Sequence, residues 1–231
     1  MGPDPTFRGI FVTGTDTGVG KTHVAAALLR GLCAEGRRAV AMKPVACGIE
    51  PGERVNRDVT VLLAAGNVAA SASDVNPYAF APAIAPHLAA QEVGTAIDLD
   101  RIAGAYARLE ALADVVVVEG VGGALVPLSG RTDVLDMAVR LRLPVLLVVG
   151  VRLGCINHAL LTAQAIGARG LRLAGWVGNR IDPVMPAADA NVDTLRRRLP
   201  APLVADLPWQ REPDAGATLP GAALATLGLL R

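Results

Sequence analysis

The sequence lacks several features that mark common classes of protein. It has 231 residues, of which only 3% are aromatic, and its formal net charge is +1, so no electrostatic attraction to nucleic acid or to an anionic membrane is expected. No apolar run approaches the roughly 18 residues that span a bilayer. Residues 1–8 lack the apolar segment of a secretory signal. We therefore expect a cytoplasmic protein with no nucleic-acid and no membrane partner.

Cysteine and lysine are also scarce. The three cysteines, Cys33, Cys47 and Cys155, are an odd number at unrelated spacings, which indicates reduced thiols and neither a disulfide framework nor a zinc site. Only Lys21 and Lys43 among the 22 basic residues are lysines. An ammonium acts as a compact point charge where a planar guanidinium does not fit. Both lysines are therefore candidates for a functional site, the alternative being chance in an arginine-biased composition.

Short apolar runs alternate with helical patterns along most of the chain. The predicted strands are Gly9–Thr13, Arg38–Met42, Asp114–Val118, Pro144–Val149, Leu173–Val177 and Leu203–Asp206. The predicted helices are Thr22–Glu35, Arg57–Ala65, one opening at Pro86, Asp98–Ala113, Asp133–Leu141, Ile156–Arg169, Ala188–Leu199 and Gly221–Leu230. Proline-rich residues 76–85 and the loop after Met42 are expected to be irregular. This order predicts an α/β fold in one domain, 1–231, with a doubly wound, mostly parallel sheet and helices on both faces.

A glycine-rich turn, V-T-G-T-D-T-G-V-G-K-T-H, follows the first strand. The usual phosphate-loop pattern, G-x-x-x-x-G-K-[ST], places Thr15 where its first glycine belongs, and Gly14 comes one residue early. Glycines allow successive N–H groups to face an anion, and the following helix adds its N-terminus. We therefore predict a P-loop NTPase-like fold whose loop binds phosphate, with Lys21 reaching the phosphates. The alternative is an ordinary strand-to-helix turn.

Two more strands end in candidate site residues. Ligands of doubly wound sheets bind beyond the carboxyl ends of the strands. Lys43 follows the second strand, and Cys47 beside it is interpreted as a small wall residue, because no histidine is placed to activate it. Glu119 follows four valines, where a buried carboxylate needs a partner such as a metal ion. The alternative is that Glu119 caps the amides of residues 121–123.

Taken together, the motifs resemble those of the dethiobiotin synthetases. They are G-T-D-T-G-V-G-K-T (14–22), M-K-P-V-A-C-G (42–48), N-P-Y (76–78), V-E-G-V-G-G (118–123), G-C-I-N-H (154–158) and G-W-V-G-N (175–179). The matches run in order from about residue 10 to Trp209. The extra residue in the phosphate loop is typical of that family.

The resemblance implies an ATP-dependent ligase of biotin biosynthesis. It would convert 7,8-diaminononanoate and CO₂ (or bicarbonate) to dethiobiotin, with ATP as co-substrate and Mg²⁺ as cofactor. The family also implies a cytoplasmic homodimer whose active sites lie at the interface. There, helix N-terminal amides of one subunit bind the substrate carboxylate across the interface.

The resemblance assigns roles residue by residue. The catalytic residues are Lys21, Lys43 and Thr17, and the metal ligands are Thr22, Asp58 and Glu119. The nucleotide-binding residues are Gly14, Thr15, Asp16, Gly18, Val19, Gly20, Lys21, Thr22, His23, Glu119, Gly120, Gly122, Gly123, Asn179, Pro208 and Trp209. The substrate-binding residues are Lys43, Cys47, Gly154, Cys155, Ile156 and Asn157.

Two departures and two alternatives complete the prediction. Cys47 stands where the family often has serine, and residues 81–86 lack an expected polar residue. A partition-type switch ATPase shares such a sheet but needs an early lysine in its loop, where this chain has Asp16. A related amide ligase of the corrinoid-amidating type usually carries a glutaminase domain, for which this chain has no room.

Overall fold

The computed structural model describes residues 7–211 and 214–230, so the expectation about a secretory signal in residues 1–8 falls mostly outside the described residues. The strands are β1 Gly9–Gly14, β2 Ala39–Met42, β3 Val45–Cys47, β4 Tyr78–Phe80, β5 Val115–Glu119, β6 Val145–Val151, β7 Leu173–Arg180 and β8 Leu203–Leu207. The helices are α1 Lys21–Ala34, α2 Arg57–Ala65, α3 Ala72–Val75, α4 Pro86–Glu92, α5 Leu99–Leu112, α6 Val134–Leu141, α7 Cys155–Ala168, α8 Ala188–Arg198 and α9 Gly221–Thr226.

Six strands form one parallel sheet in the order β2-β5-β1-β6-β7-β8. The central strand β1 pairs with β5 on one side and β6 on the other. Because every strand runs the same way, the carboxyl ends of all six lie along one edge, and the loops that follow them meet there. The predicted doubly wound parallel sheet is confirmed.

Helices cover both faces of the sheet because successive strand residues point to opposite sides. In β5, Val115 and Val117 pack into a core with α1 and α9, whereas Val116 and Val118 pack into a core with α5 and α6. A third cluster lies between β6, β7 and the helices α7 and α8. A strand buried on both sides needs no polar alternation, which explains the run of four valines.

Two short strands were not predicted. Val45–Cys47 and Tyr78–Phe80, expected to be irregular, form a separate two-stranded parallel sheet. Prolines flank these strands without interrupting them, so the proline content of the segment was misleading. The Asn76 side chain donates to the carbonyls of Lys43 (2.6 Å) and Tyr78 (3.0 Å), which connects the small sheet to the end of β2.

The short helix α3, Ala72–Val75, was not predicted either, and the other differences are at element ends. The last helix was predicted to reach Leu230 but ends at Thr226, because the chain turns at Gly228, which has a positive φ of 72°. All three cysteines are free, as expected. No helix among the described residues is both long enough and apolar enough to cross a membrane.

Candidate active site

The phosphate loop connects β1 to α1 and takes a shape that glycine permits. Gly18 and Gly20 have φ values of 74° and 91°, in the left-handed region. A Cβ on Gly20 would lie 2.2 Å from Nδ2 of Asn179, so a larger residue does not fit there. Lys21, the first residue of α1, donates from Nζ to the carbonyl of Asp16 at 3.0 Å. The Lys21 side chain thus reaches back across the loop to Asp16.

Lys21 is a buried cation with a shifted pKa. Burial lowers the pKa of Lys21 to about 8, and the neighbouring positive charge of Lys43 adds to the effect. The two lysines of the chain therefore lie close enough to influence each other. A site with two nearby cations is suited to an anionic ligand such as a polyphosphate.

Lys43 lies under the loop and holds two carboxylates. Its Nζ donates to Glu119 Oε1 and, at 3.1 Å, to Asp58 Oδ2. Burial alone would lower the pKa of Lys43, but the charges of Glu119 and Asp58 outweigh it and the pKa is raised. The Thr22 hydroxyl donates to the same Glu119 oxygen at 2.9 Å. Thr22, Asp58 and Glu119, the three residues proposed as metal ligands, thus converge on one point.

Helix α2 presents Asp58 to this point. Asn56 is the N-cap residue of α2, and its side-chain oxygen accepts from the Asp58 N–H at 2.9 Å. The Asn56 amide group also donates to the carbonyls of Cys47 (3.2 Å) and Gly48 (2.7 Å). One buried asparagine therefore fixes the first turn of α2 against the end of β3.

The donor set fits a magnesium ion. Mg²⁺ prefers oxygen ligands in octahedral geometry and completes its shell with phosphate and water oxygens. Oε2 of Glu119 is buried and has no hydrogen-bond partner among the described atoms, so one acceptor is available. Within residues 7–211 and 214–230, no three His, Cys, Asp or Glu side chains converge as a metal cluster. A metal ion held here by two carboxylates and one hydroxyl would therefore need further oxygens, from bound phosphate or water, to complete its coordination.

A cavity of about 690 Å³ opens beside this cluster. One wall carries the polar side chains of Thr17, Lys21, Thr22, Lys43, Asp58 and Glu119. The opposite wall is apolar and is formed by Ala83, Ile84, Ala85, Pro86, Val121 and Val126. Cys47 also lines the cavity, and burial raises the pKa of its thiol although Lys43 opposes the shift. A thiol that stays protonated is a poor nucleophile, which agrees with its interpretation as a wall residue.

A smaller cavity of about 220 Å³ lies on the far side of the phosphate loop. It shares Gly18 and Gly20 with the larger cavity and is lined further by His23, Asn179, Pro208 and Trp209. Asn179 donates from Nδ2 to the Val19 carbonyl at 2.9 Å, which joins the end of β7 to the loop. Four residues predicted to bind the nucleotide are therefore together at one end of the phosphate loop.

Other predicted residues lie elsewhere. Thr15 and Gly123 line a groove on the α7 side of the loop. The Val19 side chain is buried, with Gly150 beside it, so only its backbone faces the site. The segment Gly154–Asn157 lines neither of the two cavities just described, and the Cys155 side chain is buried.

One contact of the phosphate loop was missed from the sequence. Arg152 donates from Nη2 to Oδ2 of Asp16 at 2.6 Å. Arg152 is the first residue after β6, but the predicted strand ended at Val149, so the rule that ligand sites follow parallel strands did not select it. Asn56 was also missed, because it acts as a helix cap and carries no charge.

Solved structures match the fold of this chain. The MinC:MinD cell division protein complex of Aquifex aeolicus matches with a TM-score of 0.59 at 16% identity, over 96% of this chain and 93% of that chain. A ParA family ATPase of Chlorobium tepidum matches with a TM-score of 0.57 at 12% identity, over 97% and 90%. At such identities the likeness is one of fold. The fold and the phosphate loop define a P-loop NTPase.

Sequence relatives are more specific. The ATP-dependent dethiobiotin synthetases BioD of Aromatoleum aromaticum and Nitrosospira multiformis are each 52% identical, over 93% and 90% of this chain and 98% and 91% of their own. That of Xanthomonas oryzae pv. oryzae is 50% identical over 93% of this chain and 96% of its own. The chain belongs to the ATP-dependent dethiobiotin synthetase family, whose members are ligases. Residues 8–216 also match the family described as AAA domain.

Proposed function

We propose that the protein carboxylates 7,8-diaminononanoate with CO₂ and closes the ureido ring of dethiobiotin, releasing ADP and phosphate. The observation that carries the proposal is the cluster of Lys43, Glu119 and Asp58 beside Lys21 in one cavity, in a chain of this family. Such an arrangement places two cations and a candidate metal site where a transferring phosphoryl group would lie.

The proposed chemistry needs no protein nucleophile. One substrate amine takes up CO₂ as a carbamate, and a carbamate oxygen attacks the γ-phosphate of ATP to form a carbamic–phosphoric anhydride. The second amine then attacks the carbonyl carbon, closes the five-membered ring and expels phosphate. Holding intramolecular partners in attack geometry can supply roughly 7–11 kcal/mol of such a barrier. The tasks of the protein are therefore orientation and charge neutralisation.

In this proposal Lys21 binds the phosphates, and Lys43 neutralises charge that develops on the phosphoryl and carbamate oxygens. Thr17, an exposed residue of the loop that lines the cavity, contributes a hydroxyl at the same place. Thr22, Asp58 and Glu119 would hold Mg²⁺, which screens phosphate charge when bound. The apolar wall around Ile84 and Val126 excludes water from the reacting groups.

The nucleotide base is proposed to occupy the smaller cavity. Asn179 has its Nδ2 engaged with Val19, which leaves its side-chain oxygen as an acceptor for the exocyclic amine of adenine. Pro208 and Trp209 provide apolar contact for the ring. The remaining phosphate-loop residues and Gly120, Gly122 and Gly123 would contact the nucleotide through their backbone.

The substrate carboxylate is proposed to bind at Gly154, Cys155, Ile156 and Asn157, at the start of α7. Gly154, the N-cap residue, has no side-chain cap. The Cys155 N–H donates to the Arg152 carbonyl at 3.0 Å, so the N–H groups of Ile156 and Asn157 are the ones that suit an anion at this helix N-terminus. Because this segment lines neither cavity within one subunit, the proposal requires a homodimer in which one subunit completes the site of the other. We also propose that residues 1–231 form a single domain and that the protein is cytoplasmic.

The test is phosphate release on titration with 7,8-diaminononanoate, bicarbonate and Mg·ATP. Release that depends on the diamine, with dethiobiotin identified by mass, supports the proposal. Hydrolysis without the diamine would favour the switch ATPase, and no reaction without an amide donor would favour the corrinoid-type ligase. The 52% identity to dethiobiotin synthetases favours neither alternative.

A further inference from the structure

The phosphate loop is attached along one side to the end of β6. The Thr15 N–H donates to the Val148 carbonyl at 3.0 Å, and the Gly150 N–H approaches Oγ1 of Thr15 at 3.4 Å. The last contact in this row is the ion pair of Arg152 with Asp16, described above. The entrance of the loop is therefore positioned by the strand next to it.

Asp16 uses its oxygens in three different directions. Its Oδ2 accepts from Arg152 at 2.6 Å, and its Oδ1 accepts from the Thr17 N–H at 2.7 Å. Its backbone carbonyl accepts from Lys21 Nζ at 3.0 Å. The Asp16 carboxylate thus faces Arg152, whereas the backbone carbonyl of the same residue contacts Lys21.

We propose that Arg152 is a positioning residue for nucleotide binding, which acts by neutralising Asp16 and holding its carboxylate away from Lys21. A carboxylate released beside the loop would compete with phosphate for the Lys21 ammonium and would repel the phosphates. The inference rests only on the ATP-binding part of the proposed function. In this role Arg152 matters for nucleotide binding only while Asp16 carries its negative charge.

The test is a double-mutant cycle that removes each charge of the pair, read out by direct binding of Mg·ADP, which is measured calorimetrically without the diamine. In Arg152→Gln we expect the Kd to rise about two- to fivefold, the scale of a partly exposed charge interaction. Arg152→Lys keeps the charge and is expected to bind nearly as the unchanged protein does. Asp16→Asn keeps an acceptor for the Thr17 N–H but removes the charge, so adding it to Arg152→Gln is expected to restore the Kd.

Arg140→Gln is the matched control. It removes another exposed arginine–aspartate pair, Arg140 with Asp100 (2.8 Å), whose residues line neither cavity. The inference would be overturned if the Kd of Arg152→Gln were unchanged. It would also be overturned if the Kd rose in Arg152→Gln and stayed equally high in Arg152→Gln/Asp16→Asn. Because binding is measured without the diamine, failure of diamine-dependent turnover would count against the proposed reaction and leave this result standing.

Discussion

Lys43 and Glu119 form an ion pair that is almost wholly withdrawn from solvent, with only 4% and 1% of their side chains exposed. Asp58 is the second partner of Lys43, but 44% of its side chain is exposed. A buried charge is tolerated only when it is paired, so Lys43 and Glu119 each compensate the buried charge of the other. The same lysine thus contributes to the folded structure and occupies the oxygens proposed to hold metal.

Removing Lys43 should destabilise the metal-free protein. We expect Lys43→Gln to lower the free energy of unfolding by about 3 kcal/mol, because Glu119 would lose its buried cationic partner. Urea denaturation in EDTA measures the change. The control is Arg38→Gln, which breaks an exposed pair with Asp114 (63% and 35% exposed) and should cost less than about 1 kcal/mol. Equal effects of the two substitutions would contradict the finding that the Lys43 pair is energetically distinct.

The same substitution should strengthen Mg²⁺ binding in the absence of nucleotide. In the structure Lys43 donates to both Asp58 and Glu119, so a metal ion must displace its ammonium from those oxygens. Lys43→Gln leaves the carboxylates without this competitor, and a larger rise in melting temperature on adding Mg²⁺ is expected than in the unchanged protein. Lys43→Gln/Glu119→Gln lacks a ligand and should show little rise. A smaller rise in the single variant than in the unchanged protein would show that Lys43 does not compete with metal.

Turnover should fall for a separate reason. A preorganised charge stabiliser contributes about 2.7–4 kcal/mol to the transition state, so Lys43→Gln should lose on the order of 100-fold or more in kcat. The measurement is steady-state phosphate release at a temperature where the variant remains folded by circular dichroism. Near-normal kcat would remove Lys43 from the catalytic residues, whatever its effect on stability.

The sequence predicted the parallel sheet because each buried strand is a nearly continuous apolar run, as in Val115–Glu119, and each helix has a clear boundary. It did not predict Val45–Cys47 and Tyr78–Phe80, because strands of three residues show no periodicity and their ladder depends on a pairing between distant segments. The prolines around them indicated loops, and that indication was wrong.

For the candidate site, the sequence located Lys43 and Glu119 by their positions after strands. It could not show that they pair with each other, since 76 residues separate them. Arg152 was overlooked in a chain with many arginines, where a single one carries little signal. Strand order decides which loops become neighbours, and that order emerges only from packing.

The base-binding role of Asn179 is tested by Asn179→Ala. The change removes the 2.9 Å hydrogen bond to Val19 and the side-chain oxygen proposed to accept from adenine. We expect the KM for ATP to rise about tenfold with kcat little changed, because binding is lost equally in the ground and transition states. The preference for ATP over GTP should shrink as well. A fall in kcat at constant KM would place Asn179 in the catalytic step instead.

Nucleotide affinity should depend on pH through Lys21, whose pKa is lowered to about 8 by burial and by Lys43. Lys21 is charged below this pH and neutral above it, and phosphates bind the charged form. The affinity for ADP should therefore fall about tenfold between pH 7 and pH 9. The pKa values of Lys43 and Cys47 are raised, so neither group explains a change in affinity in that range.

Lys21→Arg is the control, since a guanidinium stays charged throughout this range. The variant should bind ADP more weakly, and its affinity should not vary from pH 7 to pH 9. The same pH dependence in both proteins would assign the titration to another group.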